Sequence, residues 1–272
     1  MGSGQGFGDR PELLDHRPAV PVLSMLGDLP ALRSSLSREK DSLEHWREGI
    51  MRVKKQKWMS ASPESDLGQV AREARKVLRT LQNLELHPGA PHLTFSGIPR
   101  ALGDWYRRHA RDITLHETRA HMQDDLHRYL FSACFAQVHH RSPKLRQFPK
   151  ELYPRHANIN KALGGNLFDD RFRVQVADRP STTITSHVAK DGNYYIHYDP
   201  LQCRSLTVRE AARLQTFPDS YFFEGTRTQQ YGQVGNAVSP YLARDIARVV
   251  FELMNQATAR GRTKVGVRPK YR

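Results

Sequence analysis

The apolar residues Leu67, Val70, Ala71, Ala74, Val77, Leu78 and Leu81 recur at i, i+3, i+4 and i+7 spacing. A strand cannot gather that set on one face, because its side chains alternate with a period of two. The pattern predicts an amphipathic helix over roughly Glu64–Leu84, ended by His87-Pro88-Gly89, and commits this part of the chain to a helical core. A second helical pattern runs from about Leu115 to Val138. Leu115, Met122, Leu126, Tyr129, Leu130 and Ala133 share one face, and His116, Arg119, Asp124 and His127 fall on the other, which is expected to be solvated. The neighbours His139 and His140 cannot face one metal ion from a helix. Shorter helical pieces are expected around Val22–Leu29 and in the charged stretch Arg33–Lys57, where Asp41 or Ser42 can cap a helix through Trp46.

The pattern changes after a Pro- and Gly-punctuated stretch from Arg141 to Asp170. Phe172–Val176 alternates apolar and polar, and Thr182–Val188 and Tyr194–Tyr198 also read as strands, with Asp191-Gly192 as a turn between them. These patterns predict a chain that mixes helices and strands.

Charge narrows the partner. Forty-two Lys and Arg stand against 28 Asp and Glu, a formal net charge of +14. A polyanion, most simply nucleic acid, is the natural partner, with a merely basic soluble surface as the plain alternative. An anionic membrane would also attract the chain, but no apolar run approaches a bilayer span. The two cysteines, Cys134 and Cys203, make neither a disulfide framework nor a Cys-x-x-Cys metal pair, and a reducing cytoplasm is the expected compartment. No metal site is expected. The run Gly2-Ser3-Gly4-Gln5-Gly6-Phe7-Gly8 has no strand before it and Pro11 soon after, so it reads as a flexible leader and not as a nucleotide-cradling loop. The basic residues from Thr258 to Arg272 read as a disordered tail, either solvated or touching phosphate without specificity.

Two stretches carry more information. In Arg204–Asp219, Thr207 and Glu210 form a capping box, Leu206, Ala211 and Leu214 give a buried face, and Pro218 stops the helix. Arg204, Arg209 and Arg213 are expected to project outward or to pair with acids. In Gln230–Ala243, Gly235-Asn236 reads as a tight turn, Ser239 can cap and Pro240 suits a first helical position. Leu242, Ile246, Val249 and Leu253 then form an apolar stripe. On spacing alone these are a capped basic helix and an ordinary loop-to-helix junction.

In residue identity, however, the two stretches resemble the ninth and tenth sequence motifs of the cytosine-5 DNA methyltransferases, closely over Arg204–Ala243. Arg179-Pro-Ser-Thr-Thr-Ile-Thr185 is similar to the segment that precedes the ninth motif. Leu26-Gly-Asp-Leu-Pro-Ala-Leu-Arg-Ser-Ser35 is similar to the start of that family's recognition region. The resemblance implies the α/β class: a mixed α+β target-recognition domain followed by a C-terminal helix that completes a Rossmann-like methyltransferase domain. It implies a flexible leader over 1–20, a recognition domain with the ninth motif over 21–220, the tenth-motif segment and its helix over 221–257, and a basic tail over 258–272.

The family's Phe-x-Gly-x-Gly cofactor loop, Pro-Cys nucleophile and Glu-Asn-Val acid have no counterpart in this sequence, which by resemblance begins just past the eighth motif. Cys134 follows Ala133 and Cys203 follows Gln202, so both are expected to be packing residues, and no catalytic residue is assigned. The family flips the target cytosine out of the duplex and attacks it with a thiolate. By resemblance, this chain would grip the DNA backbone through Arg179, Thr183 and Thr185, although the threonines also suit a plain strand. It would read bases from within roughly Leu84–Asp170. It would place Asn236, Ala237 and Val238 beside S-adenosyl-L-methionine, in a pocket shared with a complementary chain that carries the catalytic half. The expected role is the DNA-recognition half of a methyltransferase of the restriction-modification kind, associated with a bacterial nucleoid and inactive alone. A truncated single-chain enzyme and a stand-alone DNA-binding module are the rivals.

Overall fold

The structure, a computed structural model, describes residues 14, 16–154, 171–190 and 192–264. Helix α3 (Asp66–Thr80) forms where the apolar stripe requires it, with the Ser65 side chain accepting the Gly68 N–H as an N-cap. Its buried face, Val70, Ala71, Ala74, Val77 and Leu78, packs on α5 (Gln123–His139). Helix α2 (Leu43–Met51), capped by Ser42, closes the other side of α5 and buries Trp46 and Ile50. Every residue of α5 from Leu126 to Ala136 is buried, because helices lie on both sides of it. Trp58 and Phe131 meet edge to face at 5.4 Å in the same core.

A second core positions the candidate site. It gathers α1 (Val22–Leu26), Tyr106 of α4 (Gly103–Arg107), Leu115, the short helix α6 (Val208–Leu214), and Tyr231 and Val234 of α7 (Arg227–Asn236). Strand β2 (Gly89–Thr94) pairs antiparallel with β3 (Asp112–Glu117), with His92 opposite Thr114. Strand β1 (Ser35–Leu36) pairs parallel with β4 (Ala120–His121). Contacts divide the chain into two compact units, Ala19–Ala237 and residues 1–18 with 238–272. The second holds α8 (Pro240–Lys264), where Arg17 pairs with Asp245 at 3.0 Å and lies over the Tyr241 ring. Leu242, Ile246 and Leu253 on α8 are exposed, as are Val250, Phe251 and Met254. No helix among the described residues is long and apolar enough to cross a membrane.

Several expectations are corrected. The helix expected from Leu115 starts at Gln123. Asp112–Glu117 is a strand because Gly89–Thr94 supplies its partner, and local periodicity does not register a distant pairing. His116 and His127, expected in solvent, are buried. Two of the three expected strands after residue 172, Phe172–Val176 and Tyr194–Tyr198, are reduced to single bridges, Val174 with Ile196 and Ile196 with Ser205. Thr182–Val188 has no neighbouring ladder, and Ser186–Ala189 is a 3-10 turn. Gly235-Asn236 is the last turn of α7, not a tight turn. Helix α8 continues through Lys264, into the segment expected to be a free tail. Residues 1–13, most of the 141–170 loop and Asp191 lie wholly or largely outside the described residues.

Candidate nucleic-acid interface

The site is built on α6, which presents no residue to solvent: Val208 to Leu214 are all buried. The capping box forms as its spacing requires, with Thr207 accepting the Glu210 N–H and Glu210 accepting the Thr207 N–H at 2.7 Å. The three arginines turn inward and fasten distant segments. Arg204 grips both Glu210 carboxylate oxygens at 2.7 Å and reaches Leu32 O. Arg209 donates to Thr114 O and Oγ1 on β3 and to the carbonyls of Pro218 and Tyr221. Arg213 holds Asp219 with two bonds and also binds Asp28 and Met25 O. This is bidentate pairing away from water, the geometry in which guanidinium groups bind most strongly.

Charges and neutral histidines complete this polar core. Burial pushes Glu210 up, but Arg204 and His197 together pull its carboxyl well below the usual carboxylate range. Burial, aided by Arg204, lowers His197 to about 4. Burial likewise lowers His116 to about 4 and His121 to about 3, with neighbouring arginines adding to it. His116 is therefore neutral, and its ring bridges Thr207 Oγ1 at 3.1 Å and Pro30 O at 3.0 Å.

An open groove of about 600 Å³ is lined by Arg173, Thr183, Thr185, His187, Tyr194 and Tyr195 among others. The Tyr195 hydroxyl fixes its rim. It accepts the Thr185 N–H at 3.0 Å, lies 2.9 Å from Thr185 Oγ1 and donates toward Thr183 O at 3.3 Å. Arg119 holds the turn below through the carbonyls of Val188 and Lys190, with its guanidinium 4.1 Å from the Tyr231 ring centre on α7. Thr183 and Thr185 are thus exposed on a pinned loop. Arg179 is also exposed but does not line the groove. Asn236 is exposed at the end of α7 and Ala237 is half-buried, its carbonyl accepting from Gln215 at 3.2 Å. Val238 is exposed. None of these three residues lines the groove.

Gly235 brings α7 against the threonine loop. A Cβ there would lie 2.4 Å from the Thr185 carbonyl carbon and 2.5 Å from Ser186 N, backbone atoms that cannot swing aside. Gly235→Ala is expected to lose about 1–3 kcal/mol of stability by overpacking and to displace the loop. Gly232→Ala, one turn earlier, meets nothing within 4 Å and should be neutral or gain up to about 1 kcal/mol from helix propensity. Urea midpoints of the two variants check this; equal midpoints would show that the close approach carries no energy.

Both thiols are fully buried, and burial raises each well above the usual thiol range; Cys203 donates to Pro200 O. Neither is a ready thiolate. Sequence reasoning missed Arg173, His187, Tyr194 and Tyr195. Its only signal was Tyr194-Tyr195, adjacent residues in a run read as strand, where neighbours take opposite faces.

Residues 106–252, more than half of the chain, match the family model described as C-5 cytosine-specific DNA methylase. Type II methyltransferase M.Bpa9945I of Bacillus paralicheniformis is 58% identical over 88 residues, 32% of this chain and 20% of that protein. M1.HphI of Haemophilus parahaemolyticus is 31% identical over 169 residues, 61% of this chain and 39% of that protein. M.AquIB of Picosynechococcus sp. is 42% identical over 96 residues, 31% of this chain but 66% of that protein. The chain therefore spans between a fifth and two fifths of the first two relatives, and most of the third, which is itself short.

Proposed function

Because the chain belongs to the C-5 cytosine-specific DNA methylase family, we propose that it is the DNA-recognition half of a cytosine-5 DNA methyltransferase, working with a complementary chain that carries the nucleophile and the glycine-rich cofactor loop. One observation carries the reading. Helix α8 presents Leu242, Ile246, Phe251 and Met254 to solvent in a chain whose own two thiols are buried. An exposed apolar stripe of that kind suits another protein surface. The short relative M.AquIB, matched over most of its length, supports a recognition part that exists as its own polypeptide.

In this reading, Thr183 and Thr185 hydrogen-bond phosphate oxygens without bulk, held in place by Tyr195, and Arg179 adds charge beside them. S-adenosyl-L-methionine, when bound, supplies the methyl group. Asn236, Ala237 and Val238 would hold it, Asn236 through its exposed amide, and the complementary chain would supply the remainder of the pocket. The loop that grips DNA and the helix that ends at Asn236 touch through Gly235, so one rigid joint sets both.

The test is methyl transfer from labelled S-adenosylmethionine to duplex DNA. The purified chain alone is expected to give none, and addition of the complementary chain to restore it. Transfer by the chain alone would sink the proposal. DNA binding that persists while no complementary chain ever restores transfer would favour a stand-alone DNA-binding module.

A further inference from the structure

The sequence Arg52-Val-Lys-Lys-Gln-Lys57 places four cations in six residues, and no acid occurs between Met51 and Pro63. It folds into two consecutive 3-10 turns, Arg52–Lys55 and Lys57–Ser60. Val53, Trp58 and Met59 are buried in the core of α2, α3 and α5, so the exposed Arg52, Lys54, Lys55 and Lys57 ride on an anchored knuckle. Its backbone is pinned from several sides. The Gln56 N–H donates to Val53 O at 2.9 Å, and the Met59 N–H donates to Gln56 O at 3.1 Å. The Trp58 indole N–H donates to Gln56 Oε1 at 2.6 Å, and the Gln56 amide lies 3.1 Å from His127 Nδ1 on α5. Arg75 of α3 holds the Met59 carbonyl. Arg52 donates to Gln123 Oε1 at 2.6 Å, whereas Lys54, Lys55 and Lys57 have no ion-pair partner among the described residues.

Four like charges on one rigid turn repel each other, and a surface that needs only solubility mixes its signs. The exposed side of α3 does so, with Lys76 paired to Glu73 at 2.8 Å. The knuckle does not, which suits it to a surface that is itself negative. Lysine ammonium groups act as point charges and accept phosphates at varied angles, while their binding releases counterions from a duplex. With the backbone already fixed, only side-chain freedom is lost on contact. We propose that Lys54, Lys55 and Lys57, with Arg52, form a docking surface for the sugar-phosphate backbone of duplex DNA, separate from the threonine loop. That loop packs on the second core through Ile184 and Val188, and the knuckle on the first. The knuckle also lies outside residues 106–252, the part that matches the family model. The proposal rests on the reading of this chain as a DNA-recognition part and gives it a second, sequence-independent hold.

The experiment measures binding of the full chain to labelled duplexes of several sequences by fluorescence anisotropy over a series of salt concentrations. One variant combines Lys54→Gln, Lys55→Gln and Lys57→Gln, and a second replaces the same lysines by arginine. A third combines Arg100→Gln, Arg108→Gln and Arg111→Gln, exposed cations elsewhere on the chain. The lysine-to-glutamine variant is expected to bind about a hundredfold more weakly at low salt, equally across sequences, with the slope of log affinity against log salt lowered by about two to three. Lys55→Gln alone should lower the slope by about one, and the arginine variant should keep it. Urea midpoints should match that of the unaltered chain, since only exposed side chains change. Steep salt dependence in the unaltered chain with no change in the glutamine variant would overturn the docking surface and leave the functional reading standing. An equal fall of slope in the Arg100, Arg108 and Arg111 variant would also overturn it, since that is diffuse attraction by net charge. Binding to phosphatidylserine vesicles that the glutamine variant loses while keeping its DNA affinity would give the surface to a membrane instead. Absence of DNA binding by the unaltered chain at low salt would overturn both readings.

Discussion

Glu210→Ala is expected to destabilise the unit Ala19–Ala237 by about 3–5 kcal/mol, the usual cost of removing one member of a buried ion pair. The loss has three parts. Arg204, with no exposed side-chain surface, is left charged without its carboxylate. The Thr207 N–H loses its acceptor, which breaks the capping box. The buried His197 ring, 3.5 Å from the same carboxylate, loses its polar neighbour. Thr207→Ala removes only the cap hydroxyl and the His116 contact and should cost about 1 kcal/mol. Chemical denaturation of both variants gives the ratio. If Glu210→Ala were no worse than Thr207→Ala, the buried pair would be energetically idle and the polar core would owe its stability to apolar packing.

The second large effect belongs to α8. Leu242→Asp and Ile246→Asp are expected to abolish co-purification with the complementary chain while leaving DNA binding within about twofold. Both residues are exposed in this chain, at 45% and 44%, so the substitutions should change its own stability by no more than about 0.5 kcal/mol. In a closed interface the same carboxylates would have to be buried without a partner, which costs several kcal/mol beyond the lost apolar contact. Analytical gel filtration of the mixed chains reads the outcome. Unimpaired assembly of both variants would place α8 outside the interface and remove the main physical support for a two-chain enzyme.

What could be read in the sequence divides along physical lines. Helix α3 was legible because its signal is local: seven apolar residues at helical spacing and a Pro-Gly stop. The α6 capping box was legible for the same reason. Helix α5 was misplaced at its start, because β3 depends on a partner strand beginning at Gly89 that no window around Leu115 contains. His116 was misassigned to solvent by the same error, and its partners Thr207 and Pro30 are some 90 residues away in each direction. At the candidate site, Thr183 and Thr185 were found through resemblance. The meeting of Arg173 and His187 at Tyr194 was not, because only the fold brings those two positions to one aromatic ring. Asn236 was placed in a turn because Gly-Asn favours one, but here the glycine serves close packing inside a helix.

The arginine anchors also set a timetable. Arg213 is bonded to Met25 across 188 residues, and Arg204 to Leu32 across 172. A nascent chain emerges from the N-terminus at about 5–20 residues per second, so α1 waits roughly 10–40 s for its moorings. During that interval Val22, Met25 and Leu26 have no finished pocket, and ordering them must follow closure of a very long loop, which slows folding. A ribosome that stalls before Asp219 releases a product whose first helix has nowhere to dock, a ready substrate for chaperones and proteases. In this protein the order of synthesis and the order of assembly run in opposite directions, and a later part of the chain lets an earlier one settle.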